Sequence, residues 1–123
     1  MIPYKNSRFD DSIVDAMVIS NTLDKQSGEK EKFNLIDAHI ISVVHEHWCS
    51  GGRCVMSNNY FAVRTFTTEA TIQKSINKLC GLNFISKRIQ YIRGKRRRVI
   101  IYNHDTIEIF KSQMSNIVES VNE

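Results

Sequence analysis

Residues 52–88, GRCVMSNNYFAVRTFTTEATIQKSINKLCGLNFISKR, decide the fold of this chain. Ser57 and the Thr67-Thr68 pair are residue types that cap helix N-termini, and each stands just before a helical pattern. The first pattern predicts a short helix that directs Tyr60, Phe61 and Ala62 inward. The segment is therefore expected to form two consecutive helices joined by a tight connection.

The second helix of this pair is predicted over residues 67–82. Ile72, Ile76 and Leu79 recur at positions i, i+4 and i+7, which places them in one apolar stripe. Asn83 stands where the helix should end, and asparagine tolerates the left-handed conformation that ends many helices. The opposite face carries Ala70, Gln73, Lys74 and Asn77, with Thr71 and Lys78 at its edges.

The sequence before the pair predicts a longer buried helix. Asn34 offers an N-cap with Asp37 three residues further on, and the Ser50-Gly51-Gly52 turn requires the helix to end near Cys49. A short strand is expected at residues 54–56. The apolar positions of the helix are Leu35, Ile36, Ile40, Ile41, Val43, Val44 and Trp48.

The sequence after the pair predicts a β-hairpin with a basic tip. Residues 84–92 and 97–102 are rich in β-branched and aromatic side chains, and Arg93-Gly94-Lys95 between them is a turn signal. The order of elements is then helix, short strand, helix pair and hairpin. This order predicts an α+β fold, the winged helix-turn-helix, whose second paired helix enters the major groove of DNA.

On this interpretation, the polar face of the second helix contacts base edges while the hairpin, or wing, contacts phosphates or an adjacent minor groove. Small polar and amide side chains can bond to base edges, and arginines can neutralise phosphates. The predicted DNA-binding residues are Thr67, Thr68, Thr71, Gln73, Lys74, Asn77, Lys78, Arg93, Lys95, Arg96, Arg97 and Arg98.

Residues 33–103 resemble the helix-turn-helix domains of phage and plasmid replication initiators and related winged-helix regulators. Two positions, Phe66 and Asn83, depart from that pattern because glycine is usual there. With its C-terminal helix, the chain also resembles the small dimeric winged-helix proteins of plasmid partition and transcriptional control. The positions that match the pattern of the replication initiators and related regulators are Ser57, Ala62, Thr68, Thr71, Ile72, Lys74, Ile76, Leu79 and Ile85.

The distribution of charge favours a polyanionic partner. The formal net charge is only +4, but residues 70–104 contain nine Lys or Arg side chains and no Asp or Glu. The other residues carry eight basic and thirteen acidic side chains. A basic block of this kind on a domain predicts a nucleic-acid-binding surface, with a solvated charged face as the alternative.

The two ends of the chain are predicted to lie outside the winged helix. In residues 1–32, Asp10 or Asp11 could cap a short helix with Ile13, Val14, Met17 and Val18 on one side, followed by a loop over residues 21–32. In residues 104–123, Asp105 and Glu108 form a capping box for a last helix. Its a/d seam packs either on a second copy or on its own domain, and consists of Ile107, Phe110, Met114, Ile117 and Val121.

A metal site and an enzyme are the competing interpretations. His45, Cys49 and Cys54 are weak zinc-ligand candidates, since His45 and His47 are two apart and point to different sides of a helix. No phosphate-binding glycine loop, G-x-S-x-G or H-E-x-x-H motif occurs, so neither catalysis nor a cofactor is expected.

The interpretation that these features favour is a homodimeric, sequence-specific binder of double-stranded DNA. It acts as a transcriptional regulator or as a replication or partition factor, in the latter case with a possible protein partner. The alternative is a module that binds proteins or single-stranded nucleic acid. With 123 residues, 41% hydrophobic content, three cysteines, no secretory signal and no apolar run of roughly 18 residues, a single cytoplasmic domain without membrane contact is expected.

Overall fold

The computed structural model describes residues 13–122, with side chains up to residue 120. In this range the chain forms five helices and one antiparallel hairpin. In chain order they are α1 (Ile13–Gln26), α2 (Leu35–Cys49), α3 (Asn58–Thr65), α4 (Glu69–Gly81), β1 (Ile85–Ile92), β2 (Lys95–Tyr102) and α5 (His104–Asn122).

The helix pair α3–α4 begins and ends where its caps predict. Ser57 Oγ accepts a hydrogen bond from the backbone N–H of Tyr60, and Thr68 Oγ1 accepts one from Thr71. Between the helices, Phe66 adopts a left-handed conformation with φ of 54°. Asn83 has φ of 62° just beyond α4, as the sequence predicts.

One apolar core holds α2, α3, α4 and the hairpin together. The predicted stripe of α4 is fully buried, as are Phe61 of α3 and Ile40 of α2. Each such side chain contributes about 1.5–3 kcal/mol of apolar burial, so the stripe fixes which face of α4 points outward. The fully buried stripe residues are Ile72, Ile76 and Leu79.

The hairpin is closed by a two-residue turn and held at its base by apolar residues. Arg93 and Gly94 both have positive φ, 54° and 77°, as a type I′ turn requires, and Ile92 pairs with Lys95. At the other end, Val99 and Ile100 are buried. The short strand predicted at residues 54–56 is a single bridge between Cys54 and Ile100.

Residues 35–104 therefore form a helix, a bridge, a helix pair and a two-stranded wing, which is the winged helix-turn-helix arrangement predicted from the sequence. The fold class is α+β. These residues make up one compact unit, and the described residues on either side of them, 13–34 and 105–122, belong to a second unit.

In the second unit, α1 is longer than the sequence suggested. The predicted loop at residues 21–32 is wrong for its first part, because α1 continues to Gln26. Polar side chains of this last part of α1 bond to the backbone just before α2. Asn21 Oδ1 accepts from Phe33 N at 2.9 Å, and Asn21 Nδ2 donates to Phe33 O at 2.7 Å. Asp24 accepts a hydrogen bond from Lys32 N. The predicted caps Asp10 and Asp11 lie outside the described residues.

The same unit buries Ile13, Met17 and Ile107, and packs Phe33 edge to face against Phe110 with ring centroids 5.9 Å apart. Val18, predicted on one side of this helix together with Ile13 and Met17, is 58% exposed, whereas those two are buried. An open groove between α1 and α5 is lined by Val18, Ile19, Thr22, Leu23, Gln26, Ile117 and Val118.

Three further expectations are corrected by the structure. Leu35, in the first turn of α2, is 88% exposed. Trp48 is 41% exposed and stacks on His104 instead of entering the core, with centroids 4.7 Å apart. The predicted capping box of Asp105 and Glu108 does not form, because the last helix begins at His104 and Asp105 lies inside its first turn. Glu108 instead pairs with Lys111 at 2.6 Å.

No helix in residues 13–122 is long and apolar enough to span a membrane.

Candidate nucleic-acid interface

The outward face of α4 is polar and accessible. Lys74 and Asn77 are exposed, while Thr71 and Gln73 are half-buried at its margin. The face is uncharged except for Lys74, since Glu69 lies at the N-terminal end of α4 and Lys78 turns elsewhere. Such a face presents short polar groups to a partner while the buried stripe holds the helix in place.

The threonines at the start of α4 serve first as caps. Thr68 Oγ1 accepts from the Thr71 backbone and lies 3.0 Å from Thr71 Oγ1. The N–H of Thr67 donates to Ala62 O and closes the turn between the helices. Thr68 is exposed and Thr67 is half-buried, so both lie at the end of α4 that a groove-binding helix presents.

Lys78 contacts the interior of the unit. Its Nζ lies 2.5 Å from Asp37 Oδ2, and Asp37 is completely buried. The Ser75 hydroxyl donates to the other oxygen of the same carboxylate. This polar cluster joins α4 to α2, so the structure places Lys78 in an ion pair that holds α4 against α2.

The register of the hairpin distributes the basic residues of the wing over its two faces. Partners across an antiparallel pair lie on the same face, so Arg96 shares a face with Tyr91, Ile89 and Arg98. Lys95 and Arg97 lie on the opposite face. Arg93, Lys95, Arg96 and Arg97 are all exposed, which leaves both faces of the tip positively charged.

Arg98, the fourth basic residue of β2, is half-buried and bonded within the unit. Its Nη1 donates to Asn58 Oδ1 at 2.6 Å, and its Nη2 donates to the carbonyl oxygen of Met56 at 2.7 Å. Burial lowers the pKa of this guanidinium. Arg98 therefore ties the wing to the start of α3.

Hydrogen bonds continue from Asn58 across α4. Asn58 Nδ2 donates to Gln73 Oε1 at 2.9 Å, and Gln73 Nε2 donates to Asn77 Oδ1 at 3.0 Å. Lys87 of β1 donates to the same Asn77 oxygen, also at 3.0 Å. We call these five residues, Arg98, Asn58, Gln73, Asn77 and Lys87, the amide network. The network connects the polar face of α4 to both strands of the wing.

Asn58 and Lys87 are the members of the network that the sequence did not reveal. Asn58 follows a helix cap and is 15 residues from Gln73 and 40 from Arg98, so no local spacing signals the contact. Lys87 was part of the basic block, and only the hairpin's position beside α4 assigns it to Asn77.

The weak zinc candidates do not form a three-ligand set. His45 Nε2 and Cys49 Sγ are 3.3 Å apart at the end of α2, while Cys54 is buried beside β2. Burial raises the pKa of the Cys54 thiol, which disfavours the thiolate that a metal needs. In residues 13–122, no three His, Cys, Asp or Glu side chains could hold one metal ion.

Comparison with known proteins gives a similarity to a solved structure. No protein-family model matches this sequence, and no curated protein does. The chain is similar to the crystal structure of MepR, a transcription regulator of the Staphylococcus aureus multidrug efflux pump MepA, with 16% sequence identity and a TM-score of 0.48. The match covers 86% of this chain and 72% of MepR. The assignment to the winged helix-turn-helix class rests on the geometry of residues 35–104.

Proposed function

We propose that this protein binds double-stranded DNA in a sequence-specific manner and acts as a transcriptional regulator. One observation carries the proposal: the exposed polar face of α4 lies directly beside a basic wing, with Asn77 bonded to Lys87 of the wing. A helix held by its apolar stripe and flanked by exposed cations has the shape and charge to enter a major groove.

In this proposal the residues have different roles. Lys74 and Asn77 contact base edges, with Thr67, Thr68, Thr71 and Gln73 at the margin of the same surface. Arg93, Lys95, Arg96 and Arg97 contact phosphates or a minor groove beside the major-groove site. Lys78 and Arg98, although included in the predicted set, act by positioning α4 and the wing, because their charged groups bond inside the unit.

A homodimer is part of the proposal, with α5 at its interface. Ile107 is completely buried in the single chain, whereas Phe110, Met114 and Ile117 keep accessible surface; Val121 lies beyond the described side chains. Two copies would present two recognition helices to half-sites about one helical turn apart. Replication or partition remains the second biological role compatible with such a site.

The experiment that tests the proposal is selection of bound duplexes from a random DNA pool at near-physiological salt. Enrichment of a motif with two half-sites is expected. Lys74→Ala should weaken binding by about 1–3 kcal/mol and relax the preference at one base position. The double variant Arg96→Ala/Arg97→Ala should weaken binding to all sequences. It should also make the slope of log K against log salt shallower by about 0.9 for each phosphate that is no longer neutralised.

The matched control is Lys30→Ala, which removes one exposed positive charge from the segment between α1 and α2. It should leave both the motif and the salt dependence unchanged. If the folded parent protein enriches no motif, the function is not duplex recognition, and the surface would be assigned to single-stranded nucleic acid or a protein partner. Equal binding by parent and Lys74→Ala would remove α4 as the recognition helix.

A further inference from the structure

The amide network has only one arrangement of its hydrogen bonds. Arginine and lysine carry donors and no acceptor, so the oxygen of Asn58 must face Arg98 and the oxygen of Asn77 must face Lys87. The nitrogen of Asn58 then faces Gln73 Oε1, and Gln73 Nε2 faces Asn77 Oδ1. Every amide between the two cations is therefore oriented, and reversing one of them breaks at least one hydrogen bond.

The fixed orientation of the network determines which atoms of Asn77 are available to a partner. Its oxygen already accepts two hydrogen bonds, from Gln73 and from Lys87, while its Nδ2 makes none within residues 13–122. Lys74, its exposed neighbour on the same face, is also a donor only. At Asn77 and Lys74, α4 therefore offers hydrogen-bond donors without a free acceptor.

A pair of side chains that can only donate distinguishes between the bases. Asparagine ordinarily pairs with adenine by accepting from N6 and donating to N7, but the oxygen this requires is occupied in Asn77. Guanine is the base whose major-groove edge offers two acceptors, N7 and O6, and no donor. The match between donors and acceptors therefore favours guanine over adenine opposite Asn77 and Lys74.

We propose that the amide network determines specificity: Arg98 and Lys87, acting through Asn58 and Gln73, hold Asn77 as a donor and so direct α4 to guanine. Asn58 and Gln73 are positioning residues in this inference, which rests on the proposed function. The wing thereby influences base recognition without touching the base.

The test compares two variants that add the same charge to the same helical turn. Asn58→Asp keeps an acceptor for Arg98 but places a second acceptor against Gln73 Oε1, so Gln73 must reverse. The reversed Gln73 sets its oxygen against Asn77 Oδ1, and Asn77 then turns its nitrogen to Gln73 and gives up its bond to Lys87. Asn59→Asp is the matched control, because Asn59 is exposed and has no part in the network. Acidic residues are favourable in the first turn of a helix, so both variants should fold, and circular dichroism checks this.

Duplex selection with the three proteins should give one motif for the parent and for Asn59→Asp, with guanine at the contacted position. For Asn58→Asp, the ratio of guanine to adenine at that position should fall roughly tenfold. A second measurement uses the parent alone: replacing that guanine with 7-deazaguanine removes N7 and should weaken binding roughly tenfold.

Each outcome decides the inference. Identical motifs for folded Asn58→Asp and Asn59→Asp would overturn it and leave the proposed function intact, as would undiminished binding to the 7-deazaguanine duplex. Adenine at the contacted position of the parent motif would also overturn it. A parent protein that selects no duplex motif would overturn the proposed function together with the inference.

Discussion

Phe66 shows how a single residue supports the helix pair at a cost. It occupies a left-handed position with φ of 54° and is 97% exposed, so its ring contributes almost no packing in this chain. Its N–H still donates to Ala62 O and ends α3. The turn is thus formed without the usual glycine, and the side chain adds backbone strain of about 1–2 kcal/mol.

Phe66→Gly should therefore raise the free energy of unfolding by roughly 0.5–1 kcal/mol, after allowance for the greater freedom of glycine in the unfolded chain. Urea denaturation measures the change. Phe66→Ala is the control, because it removes the ring but keeps the strained Cβ, and it should change stability by less than about 0.5 kcal/mol. Equal effects of the two substitutions would show that the left-handed position is not strained.

His39 carries the one buried side-chain nitrogen or oxygen of residues 13–122 that lacks a hydrogen-bond partner. This atom is Nε2, and the ring packs edge to face on Phe61, with centroids 6.2 Å apart. Desolvation, followed by the positive charge of Arg64, lowers the pKa of His39. The folded chain therefore resists protonating His39 at a pH where the unfolded chain binds the proton.

Stability should consequently fall as the pH drops below about 6.5, the pKa of an unfolded histidine, because the unfolded state then binds more protons than the folded state. His39→Gln should flatten this part of the profile of unfolding free energy against pH. The measurement is urea denaturation between pH 7.5 and 5.5, where most carboxylates stay ionised. Parallel profiles for parent and variant would rule out His39 as the source.

At the scale of elements, the cluster of Asp37, Ser75 and Lys78 determines how α4 lies on α2. The carboxylate is completely buried, whereas the Lys78 side chain is 33% exposed. Losing either partner therefore has unequal consequences: an unpaired ammonium can turn to water, but an unpaired carboxylate stays in the interior.

Lys78→Met should accordingly destabilise the protein by about 2–4 kcal/mol and Asp37→Asn by about 1–2 kcal/mol. The double variant should cost less than the sum, with a coupling of about 1–3 kcal/mol. A double-mutant cycle by urea denaturation measures all three values. Strict additivity would mean that the ion pair does not contribute to joining the two helices.

The wing shows a second relation between elements, because its strands hold side chains of both paired helices. Arg98 reaches α3 and Lys87 reaches α4, while the exposed tip at residues 93–97 carries the free positive charge. One hairpin thus combines a base that orders the neighbouring helices with a tip that is available to phosphates. Substitutions of Arg98 or Lys87 are expected to alter which DNA nucleotide is preferred. Substitutions in the tip at residues 93–97 are expected to alter the affinity for all sequences.

For the molecule as a whole, the proposed dimer makes a prediction about α5. Ile117 lies on the predicted seam and lines the groove with Leu23, whereas Ile109 is 60% exposed and lies off the seam. Ile117→Lys should convert a dimer to a monomer in sedimentation velocity, and Ile109→Lys should leave the dimer intact.

Circular dichroism should confirm that both lysine variants remain folded, since Ile117 also contacts its own chain. The monomeric variant should then bind a single half-site and lose the preference for paired sites. If parent, Ile109→Lys and Ile117→Lys all sediment as monomers, α5 serves its own chain alone. That result would leave the DNA-binding surface of residues 35–104 as proposed.

The elements of the winged helix could be predicted from the sequence because their signals are local. Ser57 and Thr68 cap helices through bonds to residues three positions away, and the stripe from Ile72 to Leu79 repeats within two turns. The Arg93-Gly94 turn likewise needs only its own backbone conformation. Sequence spacing contains all of this information.

Tertiary structure alone decided which polar side chains are free and which are engaged. Lys74 and Lys78 both belong to the DNA-binding set predicted from the sequence, yet one is exposed and the other pairs with Asp37, 41 positions earlier in the chain. Residues 21–26 are helical, and Asn21 among them bonds to Phe33, a contact that no periodicity encodes. A hydrogen bond between distant residues depends on packing, since the core must bring the two groups within about 3 Å before either can select its partner.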